Sequence, residues 1–103
     1  MNRVIENGRV AVLISPGFGA GWYTWNDIED LLFDPVIVGL VQNDRRDDIE
    51  SYVSSAYPDH QVYCGGVDRL KVVWIPIGSE FRIDEYDGAE EIVLAENEYW
   101  IVA

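Results

Sequence analysis

The chain has one histidine and one cysteine, His60 and Cys64, and these residue types can act as base and nucleophile. A cysteine attacks a substrate only as its thiolate, so the base must lie within hydrogen-bonding distance. Pro58 before the pair and glycines 65–66 after it favour extended chain. Extended chain would separate the two side chains by ~13 Å, at ~3.3 Å per residue. We therefore expect no catalytic residue here. No other segment has a catalytic signature, which predicts that the protein is not an enzyme.

Carboxylates in segment 84–88 precede a glycine, an arrangement that superficially resembles a calcium-binding loop. When Gly88 is aligned with the glycine of such a loop, Ile83 and Leu94 fall at two ligand positions. Both side chains are apolar, whereas a hard cation requires oxygen ligands. The segment is therefore interpreted as a turn, and the sequence implies neither a metal ion nor a cofactor.

Residues 15–25 form a glycine–aromatic loop, Ser-Pro-Gly-Phe-Gly-Ala-Gly-Trp-Tyr-Thr-Trp, which follows a predicted strand as phosphate-binding loops do. The glycine spacing does not match a dinucleotide-binding fingerprint, and no Lys-Ser or Lys-Thr pair is present in it. No basic residue lies between Arg9 and Arg45 to neutralise a phosphate. We favour a loop whose glycines allow the aromatic rings to pack over the sheet.

A ligand-binding role for the glycine–aromatic loop is the alternative hypothesis. The protein would then be a small-molecule or nucleotide-signal binding protein, a sponge, with backbone amides on phosphate and a tryptophan stacked on the base. The residues of that site would be three glycines, two tryptophans and two arginines: Gly17, Gly19, Gly21, Trp22, Trp25, Arg69 and Arg82. The net charge of the chain argues against this alternative.

Acidic residues greatly outnumber basic ones, 19 against 7, which gives a formal net charge of −12 over 103 residues. The chain also has four tryptophans, six tyrosines and three phenylalanines, enough aromatic material for a folded core. The acids are therefore expected on the surface of a folded protein, where they repel nucleic acid and anionic membranes and attract basic proteins. We expect no direct nucleic-acid binding and no membrane association.

The acidic stretch from residue 84 to residue 98 contains no basic residue. Seven like charges in one stretch repel one another, and this repulsion lowers the stability of the fold. Two explanations of the acidic stretch are therefore retained: recognition of a partner, and solvation of the surface. Recognition would make this a non-enzymatic binding protein that presents an acidic surface, flanked by aromatic rings, to a basic surface of another protein. The residues expected to bind that partner come from the predicted second hairpin and the loop: Glu85, Tyr86, Asp87, Glu90, Glu91, Trp22 and Tyr23.

Two turn signals predict the hairpins that position these residues. Asn7-Gly8 predicts a two-residue turn that pairs Ile5 with Val10 and directs one apolar face of the hairpin to the core. Asp87-Gly88 predicts a second hairpin, with strands 80–86 and 89–95. In that register Glu85 lies opposite Glu90, a like-charge pair that should be slightly destabilising.

Between the hairpins the apolar spacing predicts helices. One is expected to begin after Asn26, a second to follow the Asp34-Pro35 cap, and a third to run from Asp44 to residue 57 with an apolar stripe. Three further strands are expected after it: a weak one at 61–64, one buried on both faces at 70–75, and a last one at 99–102.

The predicted fold is a single domain, residues 1–103, of the α+β class. An antiparallel sheet, made of the N-terminal hairpin and a C-terminal meander, packs with two or three short helices inserted between them. The longest nearly apolar run, 35–41, is far shorter than the ~20 residues that span a bilayer. We expect a cytoplasmic protein.

Three segments carry a resemblance to a known group: 14–26, 82–88, and Val73-Trp74-Ile75-Pro76. They resemble short acidic proteins encoded in tailed-phage genomes and prophages, and the resemblance spans most of the chain. It carries over no catalytic residue. It implies a bacterial host cytoplasm during infection, where small phage proteins inhibit or redirect host proteins, including defence systems, in some cases by mimicking nucleic acid. A virion or assembly component, formed through exposed strand edges, is a further alternative.

Overall fold

The computed structural model describes residues 2–95. The strands in this range are β1 (Ile5–Glu6), β2 (Arg9–Ile14), β3 (Lys71–Pro76), β4 (Phe81–Tyr86) and β5 (Ala89–Leu94). The α-helices are α1 (Tyr23–Asn26), α2 (Pro35–Gln42) and α3 (Ile49–Ala56), and 3₁₀ turns are formed by Glu29–Leu32, Arg46–Asp48 and Val67–Arg69. The predicted α+β class is confirmed. The predicted strand 99–102 lies outside the described residues.

The first hairpin forms around Asn7-Gly8 as predicted, because both residues adopt positive φ, 52° and 75°. It pairs Ile5 with Val10, the predicted register. The Ile5 side chain, which we expected in the core, is 53% exposed because β1 is only two residues long. β2 also pairs antiparallel with β3 along its whole length, so the strand order is β1-β2-β3. The central strand of this sheet is therefore β2, whereas the strand predicted at 70–75 with both faces buried forms as β3 and is only partly buried.

β2 is buried on both faces because it lies between two layers of the molecule. Alternate side chains of a strand point to opposite faces. Ala11 and Leu13 pack in the core formed with α2 and α3, whereas Val10, Val12 and Ile14 pack against β4, β5 and the first 3₁₀ turn. The first sheet thus has helices on one face and the second hairpin on the other.

The first helix lies earlier in the chain than predicted. α1 ends where Asp27 adopts left-handed backbone, φ 53°, so the segment predicted to be helical after Asn26 forms only the 3₁₀ turn Glu29–Leu32. The Asn26 side chain, expected to cap a helix, instead accepts from the amide of Tyr63 at 2.7 Å and donates to its carbonyl at 3.1 Å. These two bonds hold residues 61–64 as a loop, and the strand predicted there does not form.

The next two helices follow the sequence pattern more closely. Asp34 caps α2, its carboxylate accepting from two amides of the first turn, with proline in the predicted position. α3 begins only at Ile49, after a 3₁₀ turn, and the buried residues of the predicted stripe are Ile49, Val53 and Tyr57, the last directly after the helix. No helix within residues 2–95 is both long enough and apolar enough to cross a membrane.

The second hairpin has the predicted register, with Ile83 opposite Ile92 and Glu85 opposite Glu90. β4 and β5 form a separate two-stranded sheet in the described chain. The C-terminal strands are therefore divided between two antiparallel sheets, since β3 pairs with β2 rather than with β4. The turn of this hairpin reaches the glycine–aromatic loop, and the candidate site lies at that junction.

Candidate functional site

The turn of the second hairpin is docked on the glycine–aromatic loop through backbone hydrogen bonds. Asp87 and Gly88 both have positive φ, 49° and 86°, as a two-residue hairpin turn requires. The amide of Gly19 donates to the carbonyl of Asp87, and the amide of Gly21 donates to that of Gly88 at 2.9 Å. A Cβ at Gly88 would lie only 2.8 Å from the amide nitrogen of Ala20. This close approach requires glycine at position 88.

The Glu90 carboxylate joins the hairpin to the same loop from the inner face of β5. It is only 3% exposed. Its Oε1 accepts from the amide of Ser15 at 3.0 Å, and its Oε2 accepts from the amide of Trp22 at 3.1 Å. Oε2 also accepts from the amide and the hydroxyl of Thr24, each at 2.8 Å. A buried carboxylate with this many donors organises the loop, and it is not available to a partner.

Glu85, opposite Glu90, accepts hydrogen bonds from different donors. Its Oε2 accepts from the indole Nε1 of Trp25 at 3.3 Å and from the amide of Gly88 at 2.7 Å. We expected the pair of glutamates to destabilise the hairpin slightly. In the structure each carboxylate is compensated by donors of its own, and both glutamates tie the hairpin to the loop.

Two residues predicted to bind a partner lie in the interior, which corrects the expectation that they belong to an exposed surface. The Glu90 carboxylate is occupied by its hydrogen bonds from Ser15, Trp22 and Thr24. Trp22 is 0% exposed, and its Nε1 donates to the carbonyl of Leu31 at 2.8 Å. Trp22 packs in the core because the glycines before it let the chain turn inward.

The other predicted partner-binding residues are distributed over three places. Tyr86 and Asp87 lie exposed at the hairpin turn, next to Glu85. Glu91 is exposed opposite Asp84 on the outer face of the hairpin. Tyr23 is half-buried and lines a cavity elsewhere, so it does not join them.

Exposed aromatic rings surround the hairpin turn in two pairs. Phe18 and Tyr86 are 72% and 77% exposed, and their rings meet edge to face with centroids 6.2 Å apart. Trp25 and Tyr63 are 45% and 42% exposed, with ring centroids 5.3 Å apart. The Tyr63 hydroxyl donates to the carbonyl of Gly19 at 2.7 Å, which links the second pair to the loop beside Phe18. The aromatic–acidic patch is defined as these rings with the adjacent acids: Phe18, Trp25, Tyr63, Tyr86, Glu85 and Asp87.

Phe18 and Tyr63 were not among the residues expected at the site. Tyr63 lies in a segment predicted as a strand, and the bonds from Asn26 to its backbone help to bring it to the loop. The sequence feature that reflects the position of Tyr63 is Gly65. A Cβ at position 65 would collide with the Tyr63 ring, since the nearest ring carbon would lie 2.3 Å away. A glycine two residues after a tyrosine is, however, too common a pattern to predict that contact.

The alternative ligand-binding residues do not form an open phosphate site. The amides of Gly19 and Gly21 donate to the hairpin turn, and the Ala20 amide donates to the carbonyl of Gly17 at 3.1 Å. Gly17 is buried under the Arg69 side chain, whose Cδ would lie 2.6 Å from a Cβ at that position. With Trp22 also buried, the predicted phosphate and base contacts of this loop are taken up by the protein itself.

The remaining residues predicted to bind a ligand, Trp25 and Arg82, make contacts with other side chains of the protein. Trp25 lies over Gly21, where a Cβ would meet its ring, and donates to Glu85. Arg82 forms an ion pair with Asp84 at 2.8 Å. These contacts are solvent-exposed, so they constrain the side chains without removing them from the surface.

A second buried carboxylate, Asp34, was predicted only as a helix cap. It is 0% exposed and accepts from the hydroxyls of Tyr52 and Tyr57, each at 2.8 Å to Oδ2. Burial and these bonds to Asp34 raise the pKa of Tyr52 to about 12 and the pKa of Tyr57 still further. The cluster joins α2 to α3, and the tyrosines act as neutral donors.

His60 and Cys64 both line a cavity of about 220 Å³ on α3, together with Glu50. Burial and the charge of Glu50 raise the pKa of the Cys64 thiol, so the sulfur is held in its protonated form. A protonated thiol is a poor nucleophile. Within the described part of the chain, no three histidine, cysteine or acidic residues are grouped as metal ligands would be.

No family model matches this chain, and no match was found among the curated proteins or the solved structures.

Proposed function

We propose that this is a non-enzymatic binding protein whose aromatic–acidic patch recognises a basic surface of another protein. The sequence resemblance suggests the setting: a phage-encoded protein that inhibits or redirects a bacterial host protein, as an anti-defence factor or a nucleic-acid mimic. The single observation that carries the proposal is the pair of exposed ring contacts, Phe18–Tyr86 and Trp25–Tyr63, around an acidic turn.

The exposure of these rings supports binding because aromatic side chains are usually driven into the core. Phe18 and Tyr86 nevertheless leave most of their surface in water, 72% and 77%. Exposed aromatic clusters commonly mark interaction surfaces, and tyrosine and tryptophan are frequent anchors there. Their faces also attract lysine and arginine through cation–π contacts.

The charge of the patch supports a basic partner. Asp87 is exposed at the turn directly after Tyr86, and the Glu85 carboxylate accepts a hydrogen bond from the indole of Trp25. The net charge of −12 adds a long-range field that attracts cationic surfaces and speeds their association. The acids give orientation and rate, and the rings give buried contact area.

The patch is pre-organised, which favours affinity. The buried Glu90 carboxylate fixes the backbone of the loop at Ser15, Trp22 and Thr24. Binding therefore requires little ordering of the loop, and the entropic cost of association is reduced.

The experiment is affinity capture from bacterial lysate, followed by measurement of the affinity for the identified partner. The double variant Phe18→Ala with Tyr86→Ala should lower that affinity at least about tenfold, since truncated anchors cost ~2 kcal/mol or more. Val36→Ala is the matched control, because Val36 is an exposed apolar side chain (48%) on α2. Equal affinity of the double variant and the control would contradict the proposal.

A further inference from the structure

A cavity of about 450 Å³ lies away from the aromatic–acidic patch, between the N-terminal segment and the second hairpin. Its volume falls within the ~300–1,000 Å³ typical of small-molecule sites. The lining residues that matter for binding are aromatic or charged: Arg3, Tyr23, Phe33, Phe81, Arg82 and Glu29. The cavity therefore combines aromatic walls with two of the few cations of a strongly acidic chain.

Arg3 is the cation best placed for a ligand. Its guanidinium carbon lies 4.0 Å from the centroid of the Phe33 ring, so the planar group is held against an aromatic wall. Phe33 in turn meets Phe81 edge to face, with centroids 6.2 Å apart. None of the ion pairs formed within residues 2–95 involves Arg3.

The two other charged residues of the cavity have smaller or opposing roles. Arg82 forms an ion pair with Asp84 at 2.8 Å, which compensates part of its charge. Glu29 is exposed at the edge of the cavity and would repel an anion. The positive charge that a ligand meets here is thus supplied mainly by Arg3.

We propose that this cavity binds a small aromatic monocarboxylate, with the carboxylate on Arg3 and the ring against Tyr23 and Phe81. A guanidinium fork matches a carboxylate in geometry, and the apolar walls match a flat ring. The overall charge of −12 repels every anion in proportion to the charge of the anion, so a monoanion is favoured over a phosphate dianion. This site is separate from the proposed protein-binding patch and does not depend on it.

The test is an NMR titration of the full chain with indole-3-acetate, with tryptamine as the cationic probe of similar ring size and AMP as the dianion. The expected result is saturable shifts of the amides around Phe33 and Phe81 with indole-3-acetate, and at least tenfold weaker binding of the other two probes. Tighter binding of tryptamine would overturn the proposal, and tighter binding of AMP would assign the cavity to phosphates instead. An absence of shifts with indole-3-acetate would also overturn it.

Three variants test the role of charge in this titration. Arg3→Met keeps an apolar stem over Phe33 and should weaken binding at least about tenfold, the lower range for a lost hydrogen bond to a charged group. Arg45→Met, which removes an exposed guanidinium paired with Asp48, should have no effect. Glu29→Gln should tighten binding by removing a repulsive charge. If Arg3→Met and Arg45→Met bind alike in correctly folded protein, Arg3 does not hold the ligand and the proposal fails.

Discussion

Glu90 and Thr24 are joined twice: the same oxygen, Oε2, accepts from both the amide and the hydroxyl of Thr24, each at 2.8 Å. This contact spans 66 positions of sequence and fastens the second hairpin to the start of α1. An acidic residue that composition alone assigns to the surface is therefore an internal tie. This tie also holds in place the loop that carries the aromatic–acidic patch, the surface we propose for recognition.

Replacing Glu90 by glutamine should destabilise the protein. The amide group of glutamine would direct its own N–H groups at donors of the loop, so hydrogen bonds to a charged acceptor are lost. We expect a loss of about 1 to 3 kcal/mol in the free energy of unfolding, measured by urea denaturation. Glu91→Gln, at the exposed neighbouring position, should change it by no more than about 0.5 kcal/mol. Equal effects of the two substitutions would mean that the Glu90 bonds contribute no net stability.

Replacing Gly88 by alanine should cost more than replacing Gly8 by alanine. Both glycines are the second residue of a two-residue turn with positive φ, 86° and 75°. A Cβ at Gly8 meets nothing within 4 Å, whereas one at Gly88 would lie 2.9 Å from the amide nitrogen of Gly19. We expect Gly8→Ala to cost about 1 to 2 kcal/mol for the backbone alone. Gly88→Ala should cost about 1 to 3 kcal/mol more because the loop is displaced. Similar unfolding free energies for both variants would contradict the docking of the turn on the loop.

The protein should lose stability in alkaline solution through Tyr52 and Tyr57. Burial and the bond to Asp34 raise the folded-state pKa of Tyr52 from 10.0 to about 12, and they raise the pKa of Tyr57 as well. A raised folded-state pKa means that the stability from these hydroxyls is complete below pH 10 and is lost as the pH rises toward 12. Phenolate absorbance of these rings should therefore appear together with unfolding. Tyr57→Phe should make stability depend less on pH in this range, whereas Tyr86→Phe, at an exposed ring, should leave the dependence unchanged.

Partner association should depend on salt and on Asp87. We expect the association rate to fall as ionic strength rises, because the partner is attracted by the field of the acidic surface. Asp87→Asn keeps a residue that tolerates left-handed backbone but removes the charge, and should slow association by about fivefold or less, the factor for ~1 kcal/mol between close charges in water. Asp47→Asn, in the 3₁₀ turn before α3, is the control. An association rate that is independent of salt would show that charge does not guide the encounter.

Local patterns determined much of this fold from the sequence alone. Asn7-Gly8 and Asp87-Gly88 fixed both hairpin registers, because few residues besides glycine and asparagine or aspartate adopt positive φ at low cost. Asp34-Pro35 gave the start of α2, since a cap and a proline act within one turn of helix. The same turn signal correctly placed Tyr86 and Asp87 at the tip of the second hairpin.

Only the tertiary structure decided which of these side chains face water. Glu90 lies on the same face of β5 as Ile92 and Leu94, and its burial depends on the loop of residues 15–25, which lies far away in sequence. Tyr63 reaches the patch because Asn26 binds its backbone rather than capping a helix. Contacts between distant segments leave no periodic signal, because each depends on how two separate pieces of chain meet. The two hairpin turns and the Asp34 cap could therefore be predicted from the residues, whereas the candidate site could not.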